Sequence, residues 1–322
     1  MLVSVAVATY NGERFILKQL ESIYNQTEAA DEVIICDDCS TDKTVEICKD
    51  FIKKRSLSNW RISVNEKNAG YCLNFYGAIE KCIGDVIFLA DQDDEWHIDK
   101  IEKMLECMKK FPDITVLASR YNVIDENSDI IENSGVTYLG DVFDGSVEYL
   151  SAESFIGCSY VRGFSMCFKK EIKRFLKPID LKSLLSHDWY ICMLGAVTGK
   201  TAVLNTVLTG YRYHYDNVSL SDMTRKTFIG DPNKRIRGIG ESIEAHRYIA
   251  TLMNDTHDRA DVQRFVRFEE KRLRFLKTKN PIYWLSLAAH LRQYTRYYKG
   301  KGLRVWLGDL AYAYRINPKI HI

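Results

Sequence analysis

Apolar and polar residues follow one another in blocks over the first 120 residues, and the blocks predict strands and helices in turn. Short, mainly apolar runs, typical of buried strands, lie at 2–8, 32–36, 60–64, 86–90 and 115–119. Between them, apolar residues recur at helical spacing, as Ile16, Leu20 and Ile23 do. Helices are expected at about 13–24, 42–54, 71–82 and 99–110. This alternation predicts an α/β domain with a mainly parallel sheet flanked by helices.

The pattern changes twice further along the chain. Residues 121–185 are turn-rich and less regular, and a helix at 190–197 and a strand at 201–207 follow them. After residue 222 the sequence predicts a basic, glycine-containing link at 223–240 and two helices at 241–277 and 281–298. We therefore expect two regions, an α/β domain over 1–222 and a basic, mainly helical appendage over 223–322.

The charge distribution supports this division. The net charge of the chain is only +2, but residues 223–322 hold 21 Lys and Arg against nine Asp and Glu. The remaining 222 residues carry 24 basic and 34 acidic side chains. An acidic region suits a cation-dependent site, whereas a basic one suits an anionic surface. No nucleic-acid-binding motif occurs in the basic region, so a membrane surface or a second subunit is the expected partner there.

The cysteines and the apolar runs indicate the compartment. Nine scattered cysteines, an odd number, accompany an N-terminal run that lacks the pattern of a signal peptide. No apolar run approaches the roughly 20 residues that span a bilayer. Reduced thiols and a cytoplasmic location, peripheral to the membrane if the basic region binds lipid, are therefore expected.

The apolar run at 86–90 ends in an unusually acidic segment. Four of the five residues from Asp91 to Glu95 are acidic. Carboxylates this close repel one another, and their oxygens suit Mg²⁺ or Mn²⁺. Because ligands of open α/β sheets bind where the strands end, the segment predicts a metal site. The alternative is a solvated turn in which Asp94 or Glu95 caps the next helix.

Five sequence segments, in this order, carry a family resemblance. They are Val7–Gly12; Asp37–Asp42; Asn68–Gly70 with Asn74 and Phe75; Leu89–Trp96; and His187–Trp189 followed by Tyr211–Asn217. Over about 1–222 the chain resembles family 2 glycosyltransferases of the GT-A fold, in particular the bacterial rhamnosyltransferase-like branch. The resemblance implies an inverting, metal-dependent transfer of a sugar from a nucleotide donor.

The resemblance also assigns a metal site and a catalytic base. Asp93 and His214 would bind Mg²⁺ or Mn²⁺, with Asp91 beside the nucleotide. Asp188 matches the general base, and Trp189 would form a platform for a sugar. Residue chemistry alone leaves His214 open as a packed histidine and Asp38 as a carboxylate favoured at a helix N-terminus. It also leaves Ser186 or Asp188 open as the cap of the helix that follows.

The nucleotide pocket is expected from residues that follow the first strands. Thr9, Tyr10, Asn11 and Glu13 would surround the base, and Asp38 would accept the N3–H of uracil or thymine. Asn68 and Asn74 would reach the ribose or diphosphate, unless they are a turn residue and a helix-surface residue. Arg212 would offset the diphosphate charge.

One departure from the family pattern lies at Cys39, where glycine is usual. Cys36 and Cys39 have the spacing of a CxxC motif, but no second pair completes a zinc site, so both are interpreted as packing residues.

The predicted function is transfer of a sugar to a cell-surface polysaccharide or a lipid-linked glycan. The branch favours L-rhamnose from dTDP-rhamnose, and another hexose from a UDP-sugar stays open. A degenerate, nucleotide-sugar-binding or scaffolding protein of the same fold is the alternative. The C-terminal helices would lie on a membrane or form a homodimer.

Overall fold

A computed structural model of the protein describes residues 1–132, 143–157, 161–177, 186–214, 232–298 and 300–314. The chain divides into two compact units. The first comprises Met1–Ser151, Tyr160–Asp180 and His187–His214, and the second comprises Ala152–Ser159, Leu181–Ser186 and Tyr215–Ile322. The predicted boundary at residue 222 lies outside the described residues and stays a prediction.

The first unit is built on one mixed sheet. Its strands are β1 Val3–Thr9, β2 Glu32–Asp37, β3 Trp60–Val64, β4 Val86–Asp91, β5 Glu95–Trp96, β6 Ile114–Ile124, β7 Val147–Leu150, β8 Met166–Lys169 and β9 Lys200–Arg212. The α-helices of this unit are α1 Ile16–Tyr24, α2 Thr44–Lys54, α3 Tyr71–Lys81, α4 Lys100–Lys110 and α5 His187–Thr198.

The sheet order places six strand ends at one edge. Strands pair in the order β3-β2-β1-β4-β8-β6-β9-β5, and β7 also pairs with β9. Strands β1 to β4 pair in parallel with one another, and β6 pairs in parallel with β9. Strand β8 is antiparallel to both β4 and β6. Strands β1 to β4, β6 and β9 therefore run in one direction, and their carboxyl ends meet at the edge where ligands of such sheets bind.

Burial of the central strands explains their apolar composition. Every residue of β1 and β2 is buried, and so is β4 as far as Ala90. Helix α1 packs Ile16, Leu20 and Ile23 into the same core, as its spacing predicts. Strands β6 and β9 are longer than predicted, because they pair with each other through β-bulges as far as Ile124 and Arg212.

The second unit is mainly helical in the described residues. Its helices are α6 Pro232–Leu252, α7 Thr256–Thr278, α8 Pro281–Leu287, α9 Leu291–Tyr297 and α10 Gly302–Ala313. The predicted link at 223–240 is wrong over 232–240, which is helical. The single helix predicted at 241–277 is also wrong. Asp255 accepts hydrogen bonds from the amides of His257 and Asp258, a cap that starts a new helix.

Buried charge holds the second unit together. Both carboxylate oxygens of Asp309 accept hydrogen bonds from Arg272, at 2.8 and 2.9 Å, and Tyr294 donates a third bond at 2.7 Å. Arg272 also contacts Glu269 and Tyr298. Helices α7, α9 and α10 are thereby linked through one guanidinium. Such a cluster is stable only while every partner is present.

Among the described residues, no helix combines the length and apolar character that crossing a bilayer requires.

Candidate active site

The loops after β1 and β2 are joined by hydrogen bonds. Thr9 Oγ1 donates to Asp37 Oδ2 at 2.8 Å, and the amide of Asn11 donates to Ser40 Oγ at 2.8 Å. The Asn11 side chain in turn accepts from the amide of Thr41 at 2.8 Å. Asn11 has a φ of 48°, a left-handed conformation that asparagine tolerates better than most residues. Thr9 and Asn11, both expected at the base, thus shape the two loops.

Glu13 and Tyr10, both exposed, are held by hydrogen bonds to other loops. Glu13 Oε2 accepts from the amide of Lys43 at 3.0 Å, which ties it to the second loop. The backbone of Tyr10 is held by Gln92, whose side chain accepts from the Tyr10 amide at 2.8 Å and donates to its carbonyl at 3.0 Å. Tyr10 is 46% exposed. A Cβ at Gly12 would lie 2.3 Å from Gln92 Oε1, so glycine makes this clamp possible.

Asp38 is buried and bonded to the loop before α3. Its carboxylate accepts from Asn65 Nδ2 at 2.9 Å and from the amides of Ala69 and Gly70 at 2.8 Å each. The structure therefore gives Asp38 a clear role in fixing this loop. Asn68 lies within the same loop with its side chain exposed. The predicted contacts of both residues with a nucleotide stay predictions.

Asn74 is not a helix-surface residue, and that alternative is wrong. Its side chain is buried and donates to the carbonyls of Thr9 and Cys36 at 3.3 and 2.8 Å, and it accepts from Asn65. Asn74 thereby bonds to the ends of β1 and β2.

The departure from the family pattern at Cys39 has a conformational reason. Cys39 has a φ of 67°, the left-handed region in which glycine is favoured. Its thiol donates to the carbonyl of Asn65 at 3.0 Å. Cys36 is buried and both cysteines are free, and their interpretation as packing residues stays a prediction.

The acidic segment after β4 is held by buried partners. Asp94 is fully buried and Oδ1 accepts from the amide of Arg212 at 3.0 Å, but Oδ2 has no hydrogen-bond partner in the described structure. Neither Asp94 nor Glu95 caps α4, which begins at Lys100 with Asp99 at its N-cap position. The alternative of a capping turn is therefore wrong.

The carboxylates of this segment act on one another electrostatically. Burial, with the nearby charges of Asp93 and Asp188, raises the pKa of Asp91 to about 8. Burial and the charges of Asp93 and Asp91 also raise the pKa of Asp94 well above its ordinary value. Placing several carboxylates in a desolvated site favours their neutral forms unless a cation joins them.

Two buried cations surround the acidic segment. Arg212 donates from Nε to the carbonyl of Asp93 at 2.9 Å, forms an ion pair with Glu95, and has no exposed side-chain surface. These contacts hold the segment, and the predicted diphosphate contact of Arg212 stays a prediction. Lys100 Nζ donates to the Phe164 carbonyl at 2.6 Å and to Thr209 Oγ1 at 2.9 Å. Burial lowers the pKa of Lys100 to about 7.

The two expected metal ligands lie together. His214 Nε2 is 2.9 Å from Asp93 Oδ2, and the His214 ring lies 4.9 Å from the ring of Phe15. Within the described ranges, no group of three or more His, Cys, Asp or Glu could hold a metal by itself. This donor set fits Mg²⁺ or Mn²⁺ of the type that takes one or two protein ligands and completes its shell with substrate phosphates and water.

Asp188 lies in the first turn of α5 and is 7% exposed. Its charge acts on Asp91, so the expected base lies within electrostatic reach of the acidic segment. Trp189 is completely buried, so the prediction of a sugar platform at this residue is wrong. The indole faces the core of the unit because α5 is apolar on nearly all sides.

His187 and Gly163 shape the surroundings of Asp188. The His187 ring stacks on Phe75 with centroids 4.2 Å apart. A Cβ at Gly163 would lie 2.8 Å from His187 Nε2 and 3.7 Å from the Asp188 Cβ. Gly163, Gln92 and Lys100 were not singled out for these roles from the sequence. The glycine at 163 between bulky residues was the available signal for the close approach.

A mainly parallel sheet carries acidic residues, a histidine and an aspartate at its carboxyl edge, which is the arrangement expected for a glycosyltransferase of the GT-A fold. The family model for Glycosyl transferase family 2 matches residues 4–174. The chain belongs to this family and is a glycosyltransferase, which confirms the recognition from the five segments.

Relatives and solved structures agree with this assignment. The chain is 30% identical over 224 residues to the dTDP-rhamnosyl transferase RfbG of Shigella flexneri, spanning 66% of this chain and 72% of that protein. It is 38% identical over 109 residues to the putative teichuronic acid biosynthesis glycosyltransferase TuaG of Bacillus subtilis, covering 33% and 42% of the two chains. The crystal structure of S. aureus TarS 1–349 with UDP-GlcNAc matches with a TM-score of 0.61 at 19% identity, over 96% of this chain and 82% of that chain. This structural likeness confirms the GT-A fold.

Proposed function

We propose that the protein is an inverting, metal-dependent glycosyltransferase with Asp188 as its general base. The observation that carries the proposal is the electrostatic coupling of Asp91, Asp93 and Asp188 at the carboxyl edge of the sheet. This coupling supports a proton acceptor and a cation-binding pair within one cluster. Transfer from a nucleotide sugar requires both, one for the acceptor proton and one for the departing diphosphate.

The reaction follows from these positions. Asp188 accepts the proton of the acceptor hydroxyl as the hydroxyl oxygen bonds to the anomeric carbon. The bond from that carbon to the donor phosphate oxygen breaks, and its electron pair leaves with the nucleoside diphosphate. Asp93 and His214 would hold Mg²⁺ or Mn²⁺, which neutralises the diphosphate charge when bound. Attack from the side opposite the leaving group inverts the anomeric configuration.

The nucleotide is proposed to bind between the joined loops. Tyr10, exposed above its clamped backbone, would stack on the base, and Asn11 and Thr9 would line the pocket. Glu13 and Asp38 lie on these two loops, and Asn68 lies on the loop before α3 to which Asp38 is bonded. Asp91 would adjoin the nucleotide.

The donor and acceptor are proposed from the relatives. RfbG is named a dTDP-rhamnosyl transferase, which supports L-rhamnose from dTDP-rhamnose as the first donor to test. The TarS structure holds UDP-GlcNAc, which supports UDP-linked hexoses as the second. TuaG is named for teichuronic acid biosynthesis, and this supports a cell-surface polysaccharide or a lipid-linked glycan as acceptor.

Nucleotide binding is the first experiment. dTDP and UDP should be titrated into the wild type and Asp93→Ala, each with and without Mn²⁺, by calorimetry. Metal-dependent binding that the variant loses would support the donor site, and the preferred base would choose the sugars to screen. Binding without any turnover of screened sugars would favour a degenerate scaffold. If neither dTDP nor UDP binds, with or without Mn²⁺, the proposed function is contradicted.

The second unit is proposed to contact a membrane. Helices α8 and α10 expose the aliphatic side chains of Ile282, Leu285, Leu303 and Leu307. Between these helices the rings of Trp284 and Trp306 stack with centroids 4.1 Å apart. Apolar side chains within a basic region suit an anionic leaflet. Flotation with anionic and neutral vesicles tests this contact, using Leu285→Glu as the variant. If light scattering shows a dimer and no vesicle binding is seen, the helices form a homodimer rather than a membrane contact.

A further inference from the structure

An arginine-lined cavity lies in the second unit, between α6 and α7. Its volume is about 410 Å³. The residues that line it are Arg247, Ala250, Thr251, Arg259, Gln263, Val266 and Arg267. Among these described residues there is no Asp or Glu, so three arginines line one space without a carboxylate in its wall.

The three arginines differ in how many of their N–H groups bond to acceptors of the protein. Arg247 forms an ion pair with Glu270, but both side chains are largely exposed, so solvent weakens this pair. Arg259 donates from Nη2 to the carbonyl of Met253, whereas its Nε is buried with no hydrogen-bond partner in the described residues. Arg267 is exposed, and the described part of the chain offers it no ion pair or hydrogen bond. A buried guanidinium N–H without an acceptor costs free energy.

The arginines of the wall indicate the chemistry of a ligand. Guanidinium groups bind phosphate through paired N–H···O bonds, and several of them around one space suit a doubly charged group. Gln263 and Thr251 add neutral donors to the wall. The cavity exceeds the volume of a single water molecule many times over, so there is room for a phosphate with part of the molecule that carries it.

We propose that this cavity binds a phosphate group, as the free anion or as the phosphate of a lipid headgroup. Phosphate oxygens would accept from the exposed guanidinium groups of Arg267 and Arg247. The proposal does not depend on the sugar-transfer reaction, because it rests on residues of the second unit alone.

Calorimetry with inorganic phosphate tests the site, in EDTA and at constant ionic strength. EDTA removes the metal on which the donor site is proposed to depend. We expect Arg267→Gln to weaken phosphate binding about ten-fold, and Arg267→Lys to keep part of it because the charge remains. Arg292→Gln is the matched control, an exposed arginine of the same unit outside the cavity wall. Asp93→Ala should bind phosphate like the wild type.

Three results would overturn the proposal: wild type that binds no phosphate, Arg267→Gln that binds within two-fold of wild type, or an equal loss in Arg292→Gln. Vesicle flotation then separates the sources, with phosphatidic acid, phosphatidylglycerol or phosphatidylcholine as probe. Loss of binding to phosphatidic acid in Arg267→Gln would identify a lipid phosphate. Unchanged vesicle binding, with weakened binding of inorganic phosphate, would identify a free or soluble phosphate group.

Discussion

His214 Nε2 lies 2.9 Å from Asp93 Oδ2, although the two residues are 121 positions apart in the chain. Asp93 follows β4 and His214 follows β9, and the sheet brings the two strand ends to one edge. Phe15, whose ring lies 4.9 Å from that of His214, packs against the imidazole. An imidazole and a carboxylate held this way are suited to share a cation with a diphosphate.

Replacing His214 should weaken metal-dependent nucleotide binding. We expect His214→Gln to lower the apparent Mn²⁺ affinity about 10- to 100-fold, the range found when groups around a metal are removed. Calorimetric titration of Mn²⁺ in the presence of saturating dTDP measures the change. His257→Gln, which alters an exposed histidine of the second unit, is the control. Equal Mn²⁺ affinity in His214→Gln and wild type would exclude His214 as a ligand.

Replacing Asp188 should abolish proton transfer but leave donor binding intact. Asp188→Asn keeps the size of the side chain and removes its basicity, so kcat should fall about 10²- to 10⁴-fold. The dissociation constant for dTDP with Mn²⁺ should stay within two-fold of the wild-type value. A variant that keeps normal kcat would show that another group accepts the proton.

A methyl group at Gly163 should disturb the surroundings of the base. In Gly163→Ala the new Cβ would lie 2.8 Å from His187 Nε2. Because the His187 ring stacks on Phe75, it has little room to move away from the new Cβ. We expect kcat to fall about 10- to 100-fold, because small displacements of catalytic groups have effects of this size, with little change in the donor KM.

Gly77→Ala is the matched control for this substitution, since nothing lies within 4 Å of a Cβ at that position. Thermal unfolding of both variants separates a local displacement from a loss of fold. A folded Gly163→Ala variant with wild-type kcat would contradict the prediction.

The stability of the second unit should depend on pH through Asp309. Burial by itself raises the pKa of Asp309, but the charges of Arg272 and Arg235 outweigh burial, and the pKa lies below the ordinary 3.8. Because the folded pKa is lowered, this stabilisation is fully present above about pH 4. It is lost as the pH falls through the folded pKa. Urea unfolding between pH 7 and pH 3, followed by circular dichroism, measures it.

Asp309→Asn removes this charge and leaves Arg272 buried without its main partner. We expect the free energy of unfolding at pH 7 to fall by about 3–5 kcal/mol, with a shallower loss of stability below pH 4. Glu244→Gln, at an exposed carboxylate of α6, should change little. Equal acid sensitivity in Asp309→Asn and wild type would assign the effect to other groups.

The elements of the sheet could be predicted because their signals are local. The apolar run before Asp91 and the spacing of Ile16, Leu20 and Ile23 each lie within a few residues, and periodicity determines which face is buried. The helical region over 232–240 was missed, because its glycines and basic residues resemble a link. Contacts distant in the chain stabilise it, such as the ion pair of Arg235 with Asp309 in α10.

The sequence by itself determined the strand–helix order, the acidic strand end and the family. Only the tertiary structure decided which residues meet. In the tertiary structure Trp189 and Asn74 are buried, and Asp38 accepts hydrogen bonds from the amides of Ala69 and Gly70. His214 lies beside Asp93. The physical reason is that burial and hydrogen bonding depend on groups that are distant in the chain, and no periodicity within one segment records those groups.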